Sequence, residues 1–285
     1  MALVLAPWAL LAVAAMWGIS FVWMKDILDQ QDVYSFLVSR FALAVLVMLL
    51  LQPKVLRRLN RAIIWKGGLT GCALGLGYIF QTLGLERTTP AITGFVTGLY
   101  VVLTPVIGAL IFRERLPLQV WGYVGLATVG LGILSISGWS VGTGELLVLI
   151  SALLFAIHIL LLSRWSSQFD AYALTLVQLA TCGLVAAIPA GFDGYVAPPD
   201  LQVWGVVIFT AIFATVFAFI IQTWSQARIS ATKVAVILTM EVVFAALFSV
   251  ALGAEPLTLR ILVGGSLVLV AMLAIVQPRF TTTKG

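Results

Sequence analysis

The chain has 285 residues, of which 62% are hydrophobic and only 9% are charged, whereas a typical soluble domain has about 25% charged residues. So few polar side chains cannot cover a surface that faces water, which excludes an ordinary soluble globular protein and predicts an integral membrane protein. The net charge of +5 is small, so the positions of the charges are more informative than their total. The two cysteines, Cys72 and Cys182, lie in apolar runs and are expected to be buried thiols rather than a disulfide.

Charged and turn-forming residues divide the chain into apolar segments of about 20 residues, the length of helix that crosses the hydrocarbon core of a bilayer. We number these predicted segments as spans 1 to 10. They cover residues 7–27, 33–51, 66–85, 91–112, 118–137, 145–163, 171–190, 202–225, 232–252 and 258–276. The sequence therefore predicts an all-α integral membrane protein with ten transmembrane helices.

Lysine and arginine collect in the loops that follow the even-numbered spans. Five of them follow span 2, others follow spans 4, 6 and 8, and two more are near the end of the chain. The opposite loops carry acidic residues such as Asp193 and Asp200. Because basic loops stay on the cytoplasmic side, the even-numbered loops and both termini are predicted to be cytoplasmic, in the inner (plasma) membrane of a bacterial cell.

The second half of the chain repeats the first. Gln81 recurs as Gln222 and Glu114 recurs as Glu255, and both pairs have the same separation in sequence. An Asp-x-Tyr sequence that begins at Asp32, before span 2, recurs before span 7 at a slightly shorter separation. This register indicates two homologous halves, in which the shorter separation relates the first two spans of each half and the longer one relates the later spans.

Each half contains five spans, and five is an odd number, so equivalent helices run in opposite directions across the membrane. The sequence predicts two five-helix inverted-topology repeats, over residues 1–140 and 141–285. Such repeats, with a binding site near the bilayer midplane, are a common design of secondary transporters. The alternative is an old duplication in a passive membrane scaffold.

Several segments, in the same order along the chain, share one family pattern. They are WGISFVWMK at 17–25, Arg40-Phe41, GFVTGLYVVLTP at 94–105, RERL at 113–116, MEVVFA at 240–245 and GAEPL at 253–257. Together they resemble the EamA family of the drug/metabolite transporter superfamily, and within it they look most like YddG-type amino acid exporters. The resemblance covers nearly the whole chain. It implies a central cavity between spans 1–4 and 6–9, with spans 5 and 10 at the periphery.

Two positions depart from that family pattern. Val242 stands where the family often has proline after the glutamate, which argues against a helix break in span 9. Phe155-Ala156 replaces a Trp-Gly pair in the second half.

Glycines recur every four residues on one face of span 3, at Gly67, Gly71 and Gly75. Small residues at this spacing allow helix backbones to approach closely in lipid. We expect this face to pack within the chain, and the alternative is a dimer interface.

Polar side chains inside the predicted spans are costly unless they face a cavity or a partner, and five of them are the main candidates for a role. Arg40 is expected to be structural, either by snorkelling to the outer interface or by pairing with a carbonyl. Glu241 has three interpretations: a proton-coupling carboxylate, a counter-charge for a substrate ammonium, or a structural acid bonded to nearby backbone, which the family resemblance favours. His158 is the only histidine and resembles a core residue more than a proton relay. Gln81 and Gln222 are repeat partners that either border the cavity mouths or form interhelical hydrogen bonds.

Three aromatic residues lie deep in spans predicted to line the cavity: Trp17, Tyr78 and Tyr100. They offer flat apolar walls with polar tips, which suits an amphipathic or aromatic solute. Ordinary packing is the alternative for each. The candidate substrate-binding residues are Trp17, Tyr78, Gln81, Tyr100, His158 and Glu241.

The sequence has no phosphate-binding loop, no His-Glu-x-x-His and no Gly-x-Ser-x-Gly motif, so we predict no enzyme activity, no cofactor and no metal site. The expected function is an inner-membrane secondary transporter that exports small amphipathic metabolites, most simply amino acids including aromatic ones, by alternating access. Two alternatives stay open: a membrane enzyme that acts on lipid-linked substrates through Glu241 or His158, and a passive channel. The expected partners are a small-molecule substrate and the lipid bilayer, with no nucleic acid, and a monomer is compatible with the sequence.

We also expect facilitated movement of the solute rather than proton coupling. The titratable candidates inside the spans are Glu241 and His158, and their repeat partners, Tyr100 and Ser20, do not titrate in a useful range.

Overall fold

The computed structural model describes residues 2–88, 90–113, 116–135, 142–252 and 256–276. Every regular element within these ranges is helical. The α-helices are α1 Ala2–Ile27, α2 Val33–Leu51, α3 Arg61–Arg87, α4 Pro90–Gly98, α5 Tyr100–Phe112, α6 Leu118–Ser135, α7 Thr143–Trp165, α8 Ala171–Asp193, α9 Leu201–Ala211, α10 Ala218–Gln226, α11 Ala231–Leu238, α12 Met240–Ala251 and α13 Leu259–Val276. A π-helical stretch, Ile212–Phe217, joins α9 to α10, and 3-10 helices follow α2 at Pro53–Arg58 and α7 at Ser166–Gln168.

Some of the features that the sequence singled out lie outside the described residues. They are the repeated glutamates Glu114 and Glu255, Arg115 of the RERL segment, Gly253 and Ala254 of the GAEPL segment, and the basic residues Arg279 and Lys284 near the end of the chain.

Eight helical stretches of the described chain are long and apolar enough to cross a membrane. They are Val4–Ile27, Val33–Leu51, Arg61–Arg87, Ile92–Ile111, Thr143–Gln168, Ala171–Asp193, Leu201–Gln226 and Ala231–Phe248. Two shorter apolar helices, Leu118–Ile133 and Leu259–Ile275, occupy the positions of predicted spans 5 and 10. The all-helical membrane fold is therefore confirmed, while the count of ten crossing helices stays a prediction because these two are shorter.

Aspartate caps explain why the same short sequence precedes the second helix of each half. The Asp32 carboxylate accepts hydrogen bonds from the backbone N–H groups of Tyr34 and Ser35 at the start of α2. Asp170 accepts one from Ala173 at the start of α8. A side-chain oxygen at this position satisfies backbone donors that have no partner inside the helix. The repeated sequence thus marks two equivalent helix starts.

The glycine face of α3 packs inside the chain against α8. A Cβ atom built on Gly71 would lie 2.6 Å from the carbonyl oxygen of Gln178, and one on Gly75 would lie 3.0 Å from the Cα of Cys182. The backbones therefore approach so closely that only glycine fits without a shift. The prediction of packing within the chain is confirmed.

Contacts between loops agree with the sidedness that the charge pattern predicts. Arg58, after span 2, forms an ion pair of 3.0 Å with Asp170, after span 6. Near the opposite ends of the helices, Gln31 donates to the carbonyl of Val196 at 2.7 Å, and the Val196 N–H donates to Ser35 at 3.0 Å. Loops expected on the same side thus touch each other.

Spans 4 and 9 are each interrupted by a single turn residue, Leu99 between α4 and α5 and Thr239 between α11 and α12. The backbone angles nearly coincide, with φ −61° and ψ −12° at Leu99 and φ −61° and ψ −14° at Thr239. The replacement of proline by Val242 put a helix break in span 9 in doubt, and Ala231–Phe248 is indeed one apolar helical stretch that contains this single turn residue. The Thr239 hydroxyl donates to the Val236 carbonyl at 2.7 Å.

Candidate substrate cavity

A single cavity brings all six candidate residues together. Its walls come from α1, α2, α3, α5, α7, α10, α11 and α12, and no described residue of α6 or α13 borders it. The candidates that line it are Trp17, Tyr78, Gln81, Tyr100, His158 and Glu241. Their shared location is a property of the structure, and their role in substrate binding stays a prediction.

The cavity is small in this conformation. Its volume is about 50 Å³. One water needs about 10–15 Å³, so the cavity has room for roughly four waters. Sites for larger organic ligands usually enclose about 300–1,000 Å³. A solute larger than a few waters would therefore require the surrounding side chains to move apart.

The lining is built mainly from pairs of repeat-related residues. Six pairs contribute both members to the wall. They are Trp17 with Phe155, Ser20 with His158, Phe21 with Ile159, Tyr78 with Phe219, Gln81 with Gln222, and Tyr100 with Glu241. The cavity therefore lies between the two halves, with matching positions of each half facing it.

Four aromatic rings form one wall, and their contacts follow the repeat. The ring centroids of Trp17 and Phe219 are 5.6 Å apart, and those of their repeat partners, Phe155 and Tyr78, are 5.4 Å apart. Tyr78 and Phe219 meet at 6.2 Å. The Trp17 indole N–H donates to the carbonyl of Ala214 at 2.8 Å, so this ring presents an apolar face and its polar atom is already used. We call Trp17, Tyr78, Phe155 and Phe219 the aromatic wall.

Tyr100 and Glu241 are repeat partners that touch each other. The Tyr100 hydroxyl donates to Oε1 of Glu241 at 3.2 Å, and Glu241 is only 4% exposed. Two repeat-related residues can contact each other only where the two halves of the chain face each other. The carboxyl group bonds a side chain rather than the backbone partner proposed from the sequence.

Arg40 lies in the cavity wall and does not reach the membrane interface. It is 1% exposed, so the snorkelling interpretation was wrong, while the alternative of a carbonyl partner is confirmed. Its guanidinium donates to Thr215 Oγ1 at 2.7 Å, to the Ala214 carbonyl at 3.2 Å and to the Tyr78 hydroxyl at 3.4 Å. It also lies 4.7 Å from the centroid of the Tyr78 ring, close enough for a cation–π interaction.

The π-helical stretch between α9 and α10 explains the inward position of the Arg40 side chain. Ala214 and Thr215 belong to the π-helical stretch Ile212–Phe217. A π-helical segment changes the regular ladder of helix hydrogen bonds and is frequent at functional sites. Here the Ala214 carbonyl accepts from both Trp17 and Arg40, which ties α1 and α2 to the same point of the wall.

The remaining polar candidates have mixed partners. His158 Nε2 lies 3.0 Å from Oε1 of Gln178. Gln81 of α3 donates to Thr97 Oγ1 of α4 at 3.2 Å, which is the interhelical hydrogen bond that one interpretation predicted. Gln222 uses its Nε2 to donate to Gln226 at 2.9 Å in its own helix. The Oε1 atom of Gln222 is buried and has no hydrogen-bond partner among the described residues.

Sequence reasoning did not include several residues of the cavity wall among the candidates, and the most informative are Arg40, Phe155 and Phe219. The repeat register could have found two of them, because each stands at the repeat position of an aromatic candidate, Phe155 opposite Trp17 and Phe219 opposite Tyr78. Arg40 has no such signal, since its position depends on the π-helical stretch.

Comparison with known proteins agrees with this architecture. The model of the EamA-like transporter family matches residues 4–137 and again residues 142–277. A protein of Archaeoglobus fulgidus named "Uncharacterized transporter" is 35% identical over 272 residues, which cover 95% of this chain and 85% of the relative. A second protein of that organism with the same name is 26% identical over 282 residues, covering 95% and 99%.

A crystal structure of a protein with 18% sequence identity has the same fold, with a TM-score of 0.77 over 96% of this chain and 95% of that one. The family and the named relatives both point to a membrane transporter rather than an enzyme. This chain belongs to the EamA-like transporter family.

Proposed function

We propose that the protein is a secondary transporter that exports small amphipathic metabolites, amino acids including aromatic ones, across the inner (plasma) membrane by alternating access. The observation that carries the proposal is the cavity between the two halves, which combines the aromatic wall with buried polar side chains. Flat apolar rings suit an aromatic or aliphatic side chain, and the polar groups suit the head of an amphipathic solute. The sequence resemblance to YddG-type exporters also favours amino acids.

Two interhelical ties at opposite ends of the cavity helices support the alternating-access part of the proposal. Lys25, at the end of α1, donates to the carbonyl of Leu85 at 3.0 Å. Gln226, at the end of α10, donates to Ser163 at 3.0 Å and to the carbonyl of Ile159 at 2.7 Å. The repeat register relates Lys25 to Ser163 and Leu85 to Gln226. The same two helix ends are therefore held together at both sides of the cavity.

We call the Lys25–Leu85 contact the outer tie and the Gln226–Ser163 contact the inner tie. Two related halves that exchange conformations would break one tie while keeping the other, which opens the cavity to one side at a time.

The test is flux of radiolabelled phenylalanine in proteoliposomes that contain the purified protein. We expect flux that saturates with solute concentration, as a carrier requires. Flux that rises linearly without saturation would favour the channel, and chemical conversion of a lipid-linked substrate without net transport would favour the enzyme. Absence of flux for every amino acid in a broad panel would contradict the proposal.

Alanine substitution of the aromatic wall links flux to the cavity. We expect Trp17→Ala and Tyr78→Ala each to reduce phenylalanine flux about two- to tenfold, because an aromatic pair contributes roughly 0.5–1.5 kcal/mol. Trp65→Ala is the matched control, since Trp65 is 72% exposed and does not line the cavity. Normal flux in both wall variants would show that the solute does not pass these rings.

A further inference from the structure

We propose that the cavity recognises its solute by two opposite charges: Arg40 binds a carboxylate, while Glu241 and Gln222 bind an ammonium. The preferred solute class is then the free zwitterionic amino acid, with its side chain against the aromatic wall. This inference rests on the proposed function and specifies the substrate class of the same cavity.

The first argument is that, among the described residues, neither charged side chain of the cavity has an ion-pair partner within 4.0 Å. No carboxylate of the described residues lies within 4.0 Å of the Arg40 guanidinium, and no basic group lies within 4.0 Å of the Glu241 carboxyl. The Nη1 nitrogen of Arg40 has only the sulfur of Met24, at 3.9 Å. Buried charges are normally paired. Because Nε and Nη2 already donate to oxygen atoms, the Nη1 hydrogens are the donors left for an added carboxylate.

The second argument is that the scaffold does not need these charges. The repeat partner of Arg40 is Gln178, which is fully buried and bonds His158 at 3.0 Å. The repeat partner of Glu241 is Tyr100. Neutral side chains therefore fill both equivalent positions in the other half. Each half contributes one charged residue, and the equivalent residue of the other half is neutral. The two charges are therefore not duplicated by the repeat.

The third argument is the orphaned acceptor of Gln222. This side chain lines the cavity and is 1% exposed. Its amide N–H₂ donates to Gln226, so its carbonyl oxygen is the group left without a partner among the described residues. A buried acceptor without a partner is costly. An ammonium carries three donors and would satisfy this oxygen together with the Glu241 carboxylate.

These groups share one cavity with the aromatic wall, so the three parts of an amino acid each have a counterpart. A solute that lacks the carboxylate leaves Arg40 without a counter-ion, and one that lacks the ammonium leaves Glu241 and Gln222 without donors. Sites that hydrogen-bond a substrate group strongly reject analogues without it, because the buried polar groups are then unpaired.

The test compares three probes with the same phenyl group: phenylalanine, phenethylamine, which lacks the carboxylate, and 3-phenylpropionate, which lacks the amine. Binding is measured by thermal stabilisation of the purified protein, and flux is measured in proteoliposomes. For the wild-type chain we expect phenylalanine to bind at least about tenfold more tightly than either analogue. Equal binding of all three probes would overturn the inference while leaving the proposed transport intact.

Two variants assign the two ends. Arg40→Gln should reduce phenylalanine binding to the level of phenethylamine and leave phenethylamine unchanged. Glu241→Gln should reduce phenylalanine binding to the level of 3-phenylpropionate. Arg57→Gln is the matched control, because Arg57 is an exposed arginine of the loop after α2, and it should change nothing. If Arg40→Gln keeps the wild-type preference for phenylalanine, the assignment of Arg40 is wrong.

Two further outcomes separate the inference from the proposed function. Charge-selective binding without flux would support the inference and contradict transport, whereas neither binding nor flux of any probe would contradict both. If Arg40→Gln does not fold, Arg40→Lys keeps the positive charge but loses the guanidinium donors, and it should retain part of the preference. The wild-type comparison of the three probes decides in either case.

Discussion

At the scale of single residues, the Tyr100–Glu241 contact allows two roles of Glu241 to be distinguished: a structural role of its carboxyl oxygen and a binding role of its negative charge. The Glu241 carboxyl accepts a hydrogen bond that a glutamine amide oxygen could also accept. A structural role thus needs only the acceptor, whereas ammonium recognition needs the charge. Substitutions on either side of this bond test the two roles independently.

We predict that Tyr100→Phe lowers the free energy of unfolding by about 1–3 kcal/mol, because it leaves a buried carboxyl oxygen without its donor. Glu241→Gln should leave stability nearly unchanged. Thermal unfolding in detergent measures both, with Tyr34→Phe as the control, since this partly buried tyrosine lies near the start of α2 and outside the cavity wall. A large loss of stability in Glu241→Gln would show that the fold needs the carboxyl group itself, which would count against assigning its charge to the solute.

The location of the six candidates at one cavity could be predicted from the sequence, because helix spacing and the repeat register both carry signals for it. Tyr78 and Gln81 are three residues apart on one helix face, and the repeat register relates Tyr100 to Glu241. The inward position of Arg40 could not be predicted in this way. It depends on the π-helical stretch at Ile212–Phe217, in the other half of the chain, and no periodicity of α2 encodes that contact.

At the scale of elements, the glycine face of α3 and the two ties perform different tasks. The close approach of α3 to α8 holds two helices in a fixed position. The outer and inner ties are hydrogen bonds at helix ends, and the proposed alternation would break one of them at a time. Rigid packing in the middle and exchangeable contacts at the ends are what a rocking motion of two halves requires.

The glycine at the closest approach gives a direct test of that packing. Gly71→Ala would place a Cβ 2.6 Å from the carbonyl oxygen of Gln178, so the helices must separate. We expect a loss of stability of about 1–3 kcal/mol, as overpacking usually costs. Gly122→Ala in α6 is the matched control, because its Cβ would have no neighbour within 4 Å. Equal melting temperatures of the two variants would contradict the tight packing of α3 and α8.

The two ties predict opposite changes in access to the cavity. A cysteine in place of Ser20, which lines the cavity, reports access through its reaction with a membrane-impermeant thiol reagent. In this background Lys25→Ala should accelerate labelling from the outer side, and Gln226→Ala should accelerate labelling from the inner side. Lys66→Ala, which alters an exposed contact with Gln168, serves as the control. Equal acceleration from both sides would show that the ties do not control separate openings.

At the scale of the whole molecule, the symmetric and the asymmetric features have different origins. The sequence predicted the symmetric ones, namely the helices and the repeat register, because each half encodes them and the chain therefore carries them twice. Turn residues in spans 4 and 9, at Leu99 and Thr239, lie one position apart in the repeat register, which relates Leu99 to Met240. The asymmetric charges at Arg40 and Glu241 occur once, and only the packed structure places both in one cavity.

The sidedness of the molecule gives a further prediction. A cysteine at Asp193 should react with an impermeant thiol reagent added to intact cells, and one at Arg57 should not, because the basic loops are predicted to be cytoplasmic. The chain with only Cys72 and Cys182 sets the background, and Cys182 is buried. The reverse pattern would show that the topology is the opposite of the predicted one. The outer tie would then lie on the cytoplasmic side and the inner tie on the external side.

The last prediction concerns the energy source of transport. A proton-driven antiporter needs a group that alternates between protonated and charged states as the site changes sides. Among the described cavity residues the acidic and imidazole groups are Glu241 and His158, and their repeat partners are Tyr100 and Ser20. The repeat therefore places no second proton acceptor at the equivalent positions of the other half. His158 also already contacts Gln178.

We therefore expect the solute to move down its own gradient, outward from a cell that has accumulated it. Proteoliposomes with equal pH on both sides should show flux driven by phenylalanine alone, and an imposed pH gradient should not produce accumulation against a phenylalanine gradient. Uphill accumulation under a pH gradient would contradict facilitated transport. If Glu241→Gln then abolished the accumulation while sparing downhill flux, Glu241 would be the coupling group rather than the site of the substrate ammonium, because loss of ammonium binding would reduce downhill flux as well.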